Sequence, residues 1–301
     1  MLEFKGWRKR AAYGVLFAVA FAVALRQTFP AEAVRERLVL EAAAQGWQVK
    51  VVDVGPAGLV GVRFTGVALE AQDGTRLPVE ELRASLRLLP LLRGRRGLDF
   101  DARLWDGRVR GLVEEGRSTR RLALKIAGVE LAKAAALRKA SGLELGGTLG
   151  GDLDVTLDTR EPARSSGTVD LRVDRAALLG GQLPLAAFGG ALTLPRADLG
   201  AVTVHGAMKD GRLSLDRLEA RSPDLELSGE GMAVTLQPRL ATSTLYGKAR
   251  LKLSDGFWQK SGTAALRGVA EAALAPARGR DGAYWFQVYG TAAQPQARPA
   301  P

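Results

Sequence analysis

Leu143-Glu144-Leu145-Gly146-Gly147-Thr148-Leu149-Gly150-Gly151-Asp152-Leu153-Asp154-Val155-Thr156-Leu157-Asp158 places leucine and valine on odd positions and acids, threonines or glycines on even ones. A period of two is that of a half-buried β-strand, one side dry and the other wet. Through the polar loop Arg160 to Gly167 the run leads into Val169-Asp170-Leu171-Arg172-Val173-Asp174, which repeats the alternation. The same pattern extends in both directions. Upstream it occupies Gln48 to Val51, Val60 to Glu70, Leu82 to Leu88, Leu98 to Leu104, Val109 to Val113 and Arg121 to Ile126. Downstream it returns at Val202 to His205, Leu213 to Leu215, Leu225 to Gly229, Met232 to Leu236, Tyr246 to Leu253 and Tyr284 to Val288. Asp73-Gly74, Asp106-Gly107, Asp210-Gly211 and Asp255-Gly256 read as hairpin turns between these runs.

About a dozen antiparallel strands and one or two short helices emerge from this count. One short helix spans Ala31 to Gln45, with Val34, Leu38 and Ala42 at helical spacing and Gly46 as its stop. The other spans Leu131 to Lys139 and closes at Ser141-Gly142. Two such helices are too few to cover the apolar face of a sheet this long. The sheet must curl, fold into a sandwich, or present an open groove. Glycines inside strands (Gly146, Gly147, Gly150, Gly151, Gly189, Gly190) suit bends and bulges in a curved sheet.

At the amino end, Ala11 to Leu25 is uncharged and nearly all apolar, preceded by Lys5, Arg8, Lys9 and Arg10 and followed by Arg26. With Trp7 and Phe29 at the interfaces the segment is long enough for a membrane anchor. The same features fit a cleaved signal peptide, with Ala31-Glu32-Ala33 at the cleavage spacing. The positive flank keeps residues 1–10 cytoplasmic and sends the chain beyond Arg26 across the membrane. The expected organisation is a cytoplasmic tip (1–10), an anchor (11–29), a juxtamembrane helix (30–46), a curved β domain (47–293) with a soft boundary near Gly142, and a tail (294–301) too rich in Pro and Ala to pack.

The net charge of +11 includes +3 from the tip, and much of the rest lies between Arg83 and Lys125. That basic belt suits anionic lipid, an acidic partner or a solvated face; nucleic acid is disfavoured, with only Phe100 and Trp105 to stack on bases. The chain has no cysteine, which excludes disulfides, thiolate metal sites and cysteine nucleophiles. His205, the single histidine, shares a strand face with Thr203 and reads as an exposed strand residue. Asp152, Asp154 and Asp158 share one strand face and could hold calcium only weakly; alternating acids are equally what a wetted face looks like. Gly146 to Gly151 is glycine-rich but precedes neither a helix nor Lys-Ser/Thr, so it is no phosphate loop. No catalytic, cofactor-binding or metal residue is assigned, and an enzyme is not expected.

In organisation the chain resembles the inner-membrane N subunit of type II secretion systems. The residues that carry the resemblance are the basic tip and anchor, a short helix before the Leu-x-Leu-Gly-Gly-x-Leu-Gly-Gly-x-Leu-x-Val hairpin at Leu143 to Val155, and the aromatic strand Tyr284-Trp285-Phe286-Gln287-Val288-Tyr289-Gly290-Thr291 with its proline-bearing end. The pattern is also similar to the wider group of AsmA-like periplasmic β proteins. The first resemblance implies a non-enzymatic component of the secretion machinery in the cell inner membrane, with its β domain in the periplasm. Its partners would be other subunits of the inner-membrane platform and the outer-membrane secretin. The second implies a curved sheet whose apolar groove takes phospholipid chains. A sheet of a dozen strands spans at most roughly 60 Å, short of a cell envelope.

Overall fold

The computed structural model describes residues 30–300 except 45–46, 59, 72–73, 75, 92–93, 186–189, 238–241, 265–266 and 292–294. The expected tip and anchor lie outside the described residues. Among those described, no helix is long and apolar enough to cross a membrane.

Among the described residues the strands form a single antiparallel sheet of fifteen. They are β1 (Trp47–Pro56), β2 (Gly61–Ala71), β3 (Arg76–Leu86), β4 (Arg96–Leu104), β5 (Gly107–Glu115), β6 (Thr119–Glu130), β7 (Leu143–Asp158), β8 (Ser166–Leu185), β9 (Gly190–Leu194), β10 (Ala197–Lys209), β11 (Arg212–Arg221), β12 (Leu225–Thr235), β13 (Thr244–Leu253), β14 (Tyr284–Thr291) and β15 (Pro295–Pro299). Each pairs with its neighbours in sequence, save that β10 joins β8 and β9 pairs only with β8; the path from β1 to β15 does not close.

Local chemistry explains the connections. Trp105 and Asp106 both take positive φ, 50° and 61°, in the two-residue turn from β4 to β5, and Asp210 and Gly211 do the same between β10 and β11. Paired left-handed residues match the twist of the flanking strands. The helix Ala31–Ala44 starts after Pro30, whose carbonyl accepts the Val34 N–H at 3.1 Å. It lays Ala31, Val34, Leu38 and Ala42 against the cluster Val49, Val54, Phe64, Val67, Val79 and Ala102, and so covers one end of the apolar face. The helix Ala135–Ser141 ends on Gly142 in the left-handed conformation. The sheet continues through β6, β7 and β8, so Gly142 caps a helix inside one sheet.

Four expectations need correction. Leu143 to Val155 is not a hairpin. It lies within the single strand β7, where Gly146-Gly147 makes a bulge against β8 and Gly147 takes φ 115°. The helices exceed one or two: a turn at Leu88–Leu91 and short helices at Asp255–Gln259, Ser261–Ala264 and Arg267–Leu274 are added. Asp255-Gly256 therefore opens a helix rather than a hairpin, because the Ser254 hydroxyl accepts the Phe257 N–H at 3.1 Å as an N-cap. Phe257 and Trp258 then bury against Ala197. Finally, residues 295–299 of the tail pair with β14 as an outer strand. The Ala300 N–H donates to Trp285 O at 2.9 Å, and the alternation of an antiparallel ladder turns the nitrogens of Pro295 and Pro299 away from β14. An outermost strand tolerates proline at such positions.

Candidate apolar face and its charged reverse

The register assembles one row from eleven strands: Leu86, Leu98, Val113, Leu122, Val155, Gly167, Met208, Leu213, Val234, Leu245 and Gly290 stand successively opposite one another from β3 to β14. None is polar. At about 4.8 Å per strand the row extends about 48 Å. Leu153 and Leu171 belong to the same face, next to Val169 and Gly151. The row is only partly covered. Val155 and Met208 are buried, Leu122, Leu213, Val234 and Leu245 half-buried, and Leu86 is 53% exposed.

Elsewhere the fully buried side chains are small. Among the described residues, the largest below 2% exposure are Thr263, Ser165 and Ser243. Ser165 accepts the Asp158 N–H at 3.0 Å and Ser243 the Gln237 N–H at 3.1 Å. Two of these enclosed hydroxyls thus serve as loop ties. Large apolar side chains instead line a broad, incompletely covered surface.

The reverse face carries the opposite pattern. Arg63, Arg83, Asp101, Arg110, Lys125, Asp152, Asp170, His205 and Arg217 form a cross-strand row from β2 to β11 in which every side chain is ionisable. Much of the basic belt is paired here. The Arg108 guanidinium donates to both carboxylate oxygens of Asp101, and that hydrogen bond, helped by Arg110 and Arg83, holds the Asp101 carboxyl below its ordinary pKa. Arg121 makes a two-pronged contact with Asp154, at 3.0 and 2.7 Å, and lowers its pKa in the same way. The first pair is part-buried and the second exposed, so water and salt screen them and they add little to stability.

The three acids of β7 are not brought together as a site. Asp154 is taken by Arg121, and Asp158 Oδ1 accepts the backbone N–H groups of Arg160 and Glu161 at 2.8 and 2.9 Å. Asp152 faces Lys125 on one side and Asp170 on the other. Among the described residues no group of three or more metal-ligating side chains gathers. His205 is half exposed, with Nδ1 3.5 Å from Asp216. Gly150 and Gly151 stay within β7; an added Cβ at Gly151 would fall 2.1 Å from Asp170 O.

Two pockets were not foreseen. One of about 620 Å3 collects Arg63, Arg83 and Arg110 with Asp99 and Asp101 on the charged face. The other, about 750 Å3, lies where β8 and β10 meet the helical segment and is lined by Arg175, Arg196, Lys260 and Asp198. Arg175 sits there at φ +50°, which costs about 1 kcal/mol in a side-chain-bearing residue. Beside it, the buried Asp224 carboxylate accepts from Lys260 Nζ and from the Asp198 N–H at 2.8 Å. Burial alone would raise the Asp224 pKa; the ammonium and the N–H outweigh it and hold it below the ordinary value. Only the cross-strand register could have revealed either pocket, since their residues are far apart in sequence.

Comparisons of the chain with protein-family models, curated proteins and solved structures give no match.

Proposed function

We propose that the chain is a non-enzymatic component of a type II protein secretion system, held in the cell inner membrane by residues 11–29 with its β domain in the periplasm. The observation that carries this reading is the two-faced open sheet. An apolar row eleven strands long is left half covered while its reverse carries a row of ionisable side chains from β2 to β11, and a surface so divided is completed by a second body. In the secretion reading that body is a neighbouring subunit of the inner-membrane platform or the secretin. The pattern around Leu143 to Asp158 and the aromatic strand Tyr284–Thr291 favour this assignment. Deleting the gene is expected to block export of secreted hydrolases and leave membrane lipid composition unchanged. Normal export after deletion would refute it.

A second reading is supported by the same row. Bulges between His205 and Gly206, Ile126 and Val129, and Glu230 and Ala233 bend a sheet of this kind. An AsmA-like half-barrel with a dry lining would then hold phospholipid chains. The full chain, extracted without detergent in native lipid discs and then stripped of annular lipid, is expected on this reading to retain phospholipid. Leu153→Glu with Leu171→Glu should abolish that retention. Lipid-free protein that still captures secretion subunits decides for the first reading.

A further inference from the structure

The connection from β3 to β4 carries large exposed apolar side chains near one end of the sheet. Leu88, Leu89 and Leu91 are 57%, 77% and 44% exposed, and among the described residues none belongs to the buried apolar clusters. They are presented rigidly. The turn Leu88–Leu91 is tied by Arg95 N–H to Pro90 O at 2.9 Å, Gly94 N–H to Leu91 O at 3.0 Å and Arg87 N–H to Gly97 O at 2.9 Å, with Gly94 at φ +69°. Arg95 and Arg96 come next, exposed and with no acidic partner among the described residues. Leucines displayed on a fixed turn beside free guanidiniums are the chemistry of an interfacial contact with anionic lipid: apolar tips below the headgroups, cations among the phosphates.

The course of the chain supplies an independent reason. The helix Ala31–Ala44 leads into β1 at Trp47 and packs along the strand, with Arg35 Nη2 3.4 Å from Val52 O. It therefore runs antiparallel to β1, and its first residue lies toward the end of the sheet where β1 finishes and β3 turns into Leu88–Leu91. Ala31, the first residue of that helix, thus stands at the same end as the exposed leucines.

We infer that this end of the sheet rests on the membrane surface, with Leu88, Leu89 and Leu91 inserted at the headgroup boundary and Arg95 and Arg96 against anionic phosphates. The inference uses residues 11–29 as the tether and is independent of whether the sheet serves secretion or lipid handling.

The absence of native cysteine makes the test direct. The full chain carrying Leu89→Cys is labelled with an environment-sensitive probe and reconstituted in vesicles containing nitroxide-labelled lipid, with or without phosphatidylglycerol. Ala132→Cys, exposed near the opposite end of the sheet, serves as the reference. The probe at 89 should lose about half its emission to the nitroxide while the probe at 132 is unaffected. Arg95→Gln with Arg96→Gln should remove the part of the quenching that depends on phosphatidylglycerol. Because the probe is itself apolar, hydrogen exchange of the unlabelled chain gives a second readout. Amides from Leu88 to Leu91 should be protected by vesicles, and Leu88→Glu with Leu89→Glu should release that protection. A probe at 89 as aqueous as that at 132, or amides indifferent to vesicles, overturns the inference. Equal quenching with and without anionic lipid overturns the role of the arginines.

Discussion

Asp152 on β7 and Asp170 on β8 stand directly opposite each other across an antiparallel ladder, both exposed. Like charges so placed destabilise a sheet. Replacing one, Asp170→Asn, is expected to raise stability to urea by about 0.5 kcal/mol at low ionic strength. The gain should shrink as salt is added. A loss of stability would mean that the pair holds something the sheet alone does not explain.

Covered and open parts of the apolar face should respond differently to truncation. Phe64, 5% exposed beneath the helix Ala31–Ala44, should cost about 3 kcal/mol as Phe64→Ala. Leu124, half-buried in the open stretch, should cost about 1 kcal/mol as Leu124→Ala. Equal losses in urea titrations would show that another layer covers the open stretch.

Gly111 lies opposite Phe100, and a Cβ there would meet the ring at 2.4 Å and Leu124 Cδ2 at 2.8 Å. Gly111→Ala should therefore cost about 2 kcal/mol through overpacking. Combining it with Phe100→Leu should recover part of the loss. A double-mutant cycle reads the coupling, and strict additivity would show that the ring does not lie over Gly111.

Asp224 and Lys260 contribute to the acid limb of stability. Because the folded Asp224 carboxyl titrates below its unfolded value of about 3.9, its contribution is present above that pH and fades as the pH falls through the folded value. Asp224→Asn should flatten the decline in urea stability below about pH 4. Lys260→Ala leaves a buried carboxylate unpaired and should cost about 2 kcal/mol near neutral pH, less than for a fully buried pair because Lys260 is itself half exposed.

Much of the sheet was legible because alternation is local. Leu98 to Leu104 reads as a strand from its own residues and falls within β4. The limits have identifiable causes. Phe64 and Val67, three residues apart, both face inward because Gly66 takes φ +62° beside the exposed Val52, a flip that a period of two cannot anticipate. Asp-Gly marks turns at 106–107 and 210–211 but a helix start at 255–256, where burial of Phe257 and Trp258 decides. The two rows that divide the faces are properties of cross-strand pairing, and the bulges that shift register hide them from a linear reading.

The strand order keeps to the order of the chain almost without exception from β1 to β15. Each strand finds its partner in the segment made just before it, so loop-closure entropy stays small for a β protein of this length. A domain emerging from a pore with β1 leading could therefore crystallise its sheet one rung at a time on the emerging edge, without waiting for its own carboxyl end.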